Sequence, residues 1–390
     1  MYDEIVRTDP YRVAVNVAIS SADSGVDVAG ALLTIDLDAI AANYRLLQNC
    51  IGPATCGAVV KADAYGLGAD RVAPALFAAG CRQFFVAHLE EGIALRRSLN
   101  LAASIYVMHG VFAGGEADCV AHDLIPVSNS PAQLARWSDQ ATASDRRLPA
   151  VIQFDTGMAR FGFTETDLAH VGGHLRPLDV RFVMSHLACA DTPEHSANAT
   201  QRARFDALRG QLPAAAATLA ASSGIFLDPA FHYDLVRPGA ALYGVAPTAG
   251  APNPLRPVIR LDAKIVQLRD VPAGTPIGYG HSARTTAPAR LATIAVGYAD
   301  GYLRSGSNHG AAWFGDVALP ITGRVSMDSI VLDVSAVPVG ALREGSFVEL
   351  IGPHRSVDAV AADAGTIGYE VLTSLGRRYH RHYLSEDISV

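Results

Sequence analysis

The amino-acid sequence predicts a (β/α)8 barrel of the TIM type followed by a mainly β domain, on three observations. From about residue 31 to 250, short runs rich in β-branched and aromatic residues alternate with longer Ala- and Leu-rich amphipathic stretches, the pattern of parallel strands joined by crossover helices. Eight such units can be counted, the number that closes a barrel. After NPLRP, residues 253–257, the texture changes to runs of period two separated by Pro and Gly. The expected organisation is an N-terminal extension over residues 1–30, a barrel over 31–257 and a mainly β domain over 258–390.

The extension carries acids near its start and an apolar patch broken by Asn16, which argues against a secretion signal and for a loosely ordered segment. The expected barrel strands are ATCGAVVK ending at Lys61, QFFVAH, SIYVMHG, LIPVSN, AVIQFDTG, VRFVMSH, ATLAASS and AALYG. Between them, ADRVAPALFAAG, LEEGIALRRSL, PAQLARWSDQ, TETDLAHVGGHL and NATQRARFDAL repeat apolar residues every three to four positions, as helices do. An open doubly wound sheet is the alternative topology, but no GxGxxG follows an early strand. In the second domain RLDAKIVQLRDV, ARLATIAVG and GSFVELIG read as strands.

With 390 residues, half of them hydrophobic, the chain can bury a sizeable core. A formal net charge of -7 and the lack of any Lys/Arg cluster exclude nucleic acid and anionic membranes as partners, and no apolar run reaches the ~18 residues of a membrane span. A small-molecule substrate remains. Cys50, Cys56, Cys81, Cys119 and Cys189 are odd in number and form no CxxC pair, which fits reduced thiols in the cytoplasm, and no metal is expected.

In AVVKADAYGLGA, residues 58–69, an apolar run climbs into a single lysine. Functional groups of a barrel collect where strands end on the carboxyl face, and Lys61, Asp155 to Arg160, His186, Ser223 and Gly239 all fall on that rim. Burial disfavours the ammonium and makes the amine nucleophilic, as a Schiff-base lysine requires. On the residue alone, a strand-end lysine reaching solvent is the alternative. ASSG (221–224) and VRPGA (236–240) offer hydroxyls and backbone N–H groups near turns, which suits phosphate. Arg237 is either a surface cation or the partner of a ring nitrogen. In the second domain IGYGHS, GYADGY, GRVSMDS and GYEV place phenols and charges beside glycines.

Taken together and in order, AVVKADAYGLG, DTGMARFG, MSHLACAD, YDLVRPGAALYG, IGYGHS, GYADGY, GRVSMD and GYEV resemble the alanine racemases, pyridoxal phosphate enzymes of fold type III, over about residues 31–390. The resemblance implies that Lys61 carries pyridoxal 5'-phosphate as a Schiff base and that Tyr65, Ser223, Gly239, Ala240 and Tyr369 hold its phosphate. Arg237 would face the ring nitrogen and, unable to release its proton readily, keep the ring a weak electron sink. Racemisation needs a base on each face of a planar carbanion. Lys61 would serve the D isomer and Tyr279 the L isomer, the tyrosine coming from the second subunit of a homodimer with shared sites. A phenol, with a reference pKa near ~10, becomes a base at neutral pH only where neighbours favour its anion; His186 would couple Tyr279 to Arg237 for this purpose.

By the same resemblance, Arg160 contacts the phenolate side of the cofactor and, with the backbone N–H of Met327, receives the substrate carboxylate, with Asp328 close by. Tyr298 and Tyr369 form an inner constriction, with Asp191, Arg304 and Arg324 further out. Such a collar favours a methyl side chain and rejects a hydroxyl only modestly, so the expected alanine racemase, supplying D-alanine for peptidoglycan or catabolising it, has a broader serine/alanine racemase as its alternative. A non-catalytic pyridoxal phosphate carrier would lack the β domain, and a decarboxylase of the same fold would need a substrate-binding pattern not found here. The chain departs from the family at Gln153, where a lysine that becomes carbamylated commonly anchors the arginine. Arg160 would then be placed by the neutral amide, by Asp155 or by a bound anion such as chloride. Asp63, Leu67, Ser222 and Ser326 replace the more usual Asn, His, Asn and Cys.

Overall fold

Nine parallel segments make up the sheet of residues 37–256 in the computed structural model, which describes residues 25–99 and 101–385. The two ends of the path, Thr55–Cys56 and Ala58–Val59, are halves of one run broken at Gly57, so eight strands come round on themselves as a nearly closed barrel. The first half pairs with Leu235–Arg237 and the second with Gln83–Val86. At the break, Gly57 N–H donates to Val236 O at 2.9 Å, and a Cβ there would lie 2.9 Å from the Phe85 ring, so only glycine lets the strand change partners.

The eighth strand differs from the expected one. AALYG is a 3-10 helix, Ala240–Tyr243, closed by Gly244 at φ 81°, and the strand is the preceding Leu235–Arg237. All four residues of the helix are buried, and an apolar run without a polar face carries no period that separates strand from helix. TETDLAHVGGHL is likewise not one helix but three single turns, Glu165–Asp167, Leu168–Val171 and Gly172–His174, in a segment that includes two adjacent glycines. The helices Ala69–Ala78, Leu89–Ser98, Pro131–Ala143 and Ala197–Arg209 form where the periodicity places them. An unexpected one, Leu37–Cys50, turns Asn43 inward; its amide donates to Leu242 O and Arg256 O and accepts from Arg256 N–H, fastening the two ends of this unit.

The second unit is mainly β. Its spine, Ile259–Val271, pairs antiparallel with Phe347–Ile351 and with Ala289–Ile294, as the period-two runs predict. Residues 31–36, expected to open the barrel, join this sheet instead: Ala31–Asp36 runs antiparallel to Ile259–Val271 and parallel to His380–Leu384. Residues 1–24 of the expected extension lie outside the described residues. The remainder is ordered, Gly25–Val28 forming a helical turn whose Val26 O and Asp27 O accept from Lys264 Nζ at 2.9 and 2.7 Å.

Candidate active site

Within the barrel unit the chain leaves Ala58–Val59 and enters an uncommon turn. Ala62, Asp63, Ala64 and Tyr65 all have φ between 53° and 56°, a left-handed helical turn of four non-glycine residues that Gly66 ends at φ 83°. Each such residue costs about 1–2 kcal/mol, and left-handed residues ordinarily occur singly. Asp63 helps to hold the turn, accepting Gly68 N–H with its backbone and Ala69 N–H with its side chain at 2.8 Å; this is the local use of the residue that departs from the usual Asn. The turn leaves Lys61 half-buried on the carboxyl rim and folds Tyr65 back, its ring 4.7 Å from that of Tyr243. Burial and then the Arg160 guanidinium push the Lys61 amine below the ordinary lysine range, against the opposing charge of Glu91.

Three rim segments converge on Tyr65. A Cβ on Gly239 would lie 2.3 Å from the Tyr65 hydroxyl, so glycine is required there for the two segments to meet. Ser222 Oγ accepts from Gly239 N–H at 2.9 Å and from Ala241 N–H at 3.1 Å, stitching the turn after Leu235–Arg237 to the one after Ala216–Ala221. Ser223 and Ala240 then begin short 3-10 helices, whose leading N–H groups have no partner inside their own helix. A phenol, a serine hydroxyl and leading backbone N–H groups form a donor set suited to a phosphate.

Arg237 lies deeper and is 3% exposed. Its acceptors are all neutral: Thr218 Oγ1 at 2.5 Å, Ser185 O at 2.7 Å, Leu219 O at 3.3 Å and His186 Nδ1 at 3.4 Å. Burial pushes this guanidinium down to about 9, still protonated at neutral pH. Burial, and after it the cations Arg237, Arg160 and Lys61, push His186 down to about 3. The imidazole is therefore neutral. Because arginine only donates, Nδ1 accepts and the ring proton lies on Nε2. Thr218, absent from the sequence reading, aligns Arg237 while donating to Leu235 O at 2.6 Å; inside the strand run ATLAASS nothing distinguishes it.

Gln153 is buried at the end of Leu148–Gln153. Asp155 does not anchor Arg160 as one alternative held: its Oδ1 caps its own loop, accepting from Gly157 and Met158 N–H at 2.8 and 2.9 Å. The Arg160 guanidinium lies 5.6 Å from the Phe161 ring centroid and lines, with His109, Asn129 and Gln133, a cavity of about 520 Å³. That is ample for a small ligand.

The β unit gathers a second cluster. Tyr298 and Ala299 N–H donate to Ser326 O and Met327 O at 3.0 and 2.9 Å, and a Cβ on Gly297 would lie 2.4 Å from those oxygens, so GYADGY and GRVSMD lie together. The glycines flanking Tyr279, at φ 66° and 68°, pack on Arg324 of the same segment. Tyr369 is on the helix Gly368–Ser374, whose end packs against Gly301. Arg378, missed in sequence because it is one basic residue of LGRRYHRHY, donates to both Asp300 oxygens at 2.6 and 2.9 Å and to Asp328 at 2.7 Å. It thereby fixes Asp328 beside Met327. Tyr279 is 70% exposed, Met327 53% and Tyr298 41%.

Comparison with known proteins gives one consistent result. Residues 35–247 match the family "Alanine racemase, N-terminal domain" and residues 258–383 "Alanine racemase, C-terminal domain". The chain is 55% identical over 359 residues to a catabolic alanine racemase of Mesorhizobium japonicum, covering 91% of this chain and 94% of that one. It is 51% identical over 360 residues to the catabolic alanine racemase of Agrobacterium fabrum, covering 92% and 93%. Its fold is similar to the crystal structure of alanine racemase from Bartonella henselae with covalently bound pyridoxal phosphate, with a TM-score of 0.88 and 42% identity over 91% of this chain and all of that one.

Proposed function

The chain belongs to the alanine racemase family, and we propose that it interconverts L- and D-alanine with Lys61 and Tyr279 as its two proton acceptors. The observation that carries this is the barrel rim, where an amine biased toward its neutral form heads a turn into a phosphate-type cradle beside a buried arginine. Tyr65, Ser223, Gly239 and Ala240, with Tyr369, would hold the phosphate of pyridoxal phosphate, and Lys61 would be the residue that carries the cofactor. When bound, that cofactor supplies the electron sink that makes the substrate α-proton removable.

The chain's own groups do the rest. Lys61 takes or returns the proton on one face and Tyr279 on the other. Arg237 would present N–H to the ring nitrogen while keeping its own proton, and neutral His186, its proton on Nε2, would favour the phenolate of Tyr279. Arg160 and Met327 N–H would receive the carboxylate, with Asp328 next to Met327, the neutral amide of Gln153 standing where the family commonly has a charged anchor for the arginine, and Tyr298 narrowing the passage. Exposure of Tyr279, Met327 and Tyr298 supports a homodimer in which a second copy covers them and the partner subunit's Tyr279 completes each site. No helix among the described residues is long and apolar enough to cross a membrane, and five free cysteines favour the reducing cytoplasm. The catabolic designation of the relatives supports a degradative role over supply of D-alanine to peptidoglycan.

Incubated separately with L-alanine, L-serine and larger L-amino acids, the purified protein is expected to give D-alanine fastest on a chiral column, serine following and larger substrates failing. An absence of D-alanine would overturn the reading. Gly239→Ala is expected to weaken pyridoxal phosphate binding about ten- to a hundredfold, since its methyl displaces the Tyr65 hydroxyl and costs a charge-assisted hydrogen bond. Titration of the resolved protein, followed by absorbance, measures it.

A further inference from the structure

We propose that Glu91 is the positioning residue for Lys61: one carboxylate bridges the ends of two neighbouring barrel strands and pins the peptide group that follows the lysine. Its Oε1 accepts Ala62 N–H at 2.7 Å, while Oε2 accepts Ala87 N–H at 2.7 Å and His88 N–H at 3.1 Å. The first donor belongs to the Lys61–Ala62 peptide, at the end of the strand Ala58–Val59; the other two follow the adjacent strand Gln83–Val86.

The need for such a tie lies in the backbone. A run of four left-handed non-glycine residues is opposed at every step by Cβ sterics. Its short-range bonds, Ala64 N–H to Val60 O and Gly66 N–H to Ala62 O, close the turn but do not fix its direction relative to the barrel. Glu91 does so from a rigid base, the first turn of Leu89–Ser98, where the helix dipole also favours its charge. Rotation of the Lys61–Ala62 peptide would swing the lysine side chain off the rim, so this bond sets where the amine points.

A plainer role is open to Glu91, since with His88 it forms a capping box for its own helix. Glutamine separates the two roles. It caps almost as well as glutamate, yet its amide presents one acceptor and one N–H, so it cannot receive donors at both ends. Aspartate keeps the charge and is too short to span.

The inference rests on Lys61 as the cofactor lysine, and hydrogen exchange tests it independently of that assignment. In full-length protein, Glu91→Gln is expected to speed exchange of amides 62–68 about ten- to a hundredfold while amides 93–98 of the capped helix keep wild-type protection. Aspartate should not rescue. The groups facing Lys61 are Arg160, His109 and His186, besides Glu91. Losing the one carboxylate among these lowers the lysine pKa, so cofactor attachment, followed by absorbance, should shift to lower pH in the Gln variant and stay in place in the Asp variant; that shift follows from charge alone, and exchange of amides 62–68 is the readout that separates positioning from capping. Unchanged exchange in residues 62–68 of the Gln variant would overturn the proposal, whatever the pH profile does. Failure of the wild-type protein to bind pyridoxal phosphate would instead remove the family-based role of Lys61 and leave the exchange result standing.

Discussion

Lys61→Ala is expected to abolish the visible absorption band of the lysine-linked cofactor and to lower racemisation by about 10⁴-fold or more. The prediction is sharp because the chain contains only two lysines, Lys61 and Lys264. Lys264 is committed elsewhere: its ammonium donates to Val26 O and Asp27 O and lies 5.2 Å from the Phe347 ring centroid. No other side chain supplies an amine. Lys61 is half-buried on the rim and donates no hydrogen bond on which strand pairing depends, so the variant should fold and melt within a few degrees of wild type. Absorbance of the purified variant with added pyridoxal phosphate is the measurement. A band that persists in a folded Lys61→Ala protein would refute the assignment of this lysine.

The route from sequence to this site was direct where a run of residues carries a period and indirect where geometry comes from contacts distant along the chain. ATCGAVVK reads as a strand ending in a lysine, and the period-two runs after residue 257 read as the β unit. ALLTID reads equally well as a barrel strand; only its pairing with Ile259–Val271, more than 220 positions later, places it in the other sheet. Leu235–Arg237 is too short to show alternation, so the apolar AALYG after it drew the strand assignment. Nothing in Lys-Ala-Asp-Ala-Tyr announces four left-handed residues, because alanine and tyrosine do not favour that region. Thr218, Glu91 and Arg378 share a further limit. Each is an ordinary residue in its own segment and acquires a role only through the partner that folding brings to it.

That limit bears most on the proposed second proton acceptor, since Tyr279 belongs to the β unit and, on the reading proposed above, would reach the cofactor of another copy in a homodimer with shared sites. Tyr279→Phe removes the hydroxyl, and racemisation is expected to fall about 10²- to 10⁴-fold in both directions. Proton exchange separates the two faces. In deuterated water D-alanine should still exchange its α-hydrogen through Lys61, whereas L-alanine, which depends on the phenol, should not. Mixing the Tyr279→Phe and Lys61→Ala proteins under conditions of subunit exchange then tests the sharing. Random pairing makes half the dimers mixed, and in each of these one site holds both lesions while the other holds neither, so about a quarter of the wild-type rate should return. If each site is built from a single chain, every site in the mixture keeps one lesion and the rate stays at the level of the parents. Zero recovery in a mixture shown by mass to contain hybrid dimers would therefore confine both acceptors to one polypeptide, and the exposed face carrying Tyr279, Met327 and Tyr298 would need another explanation.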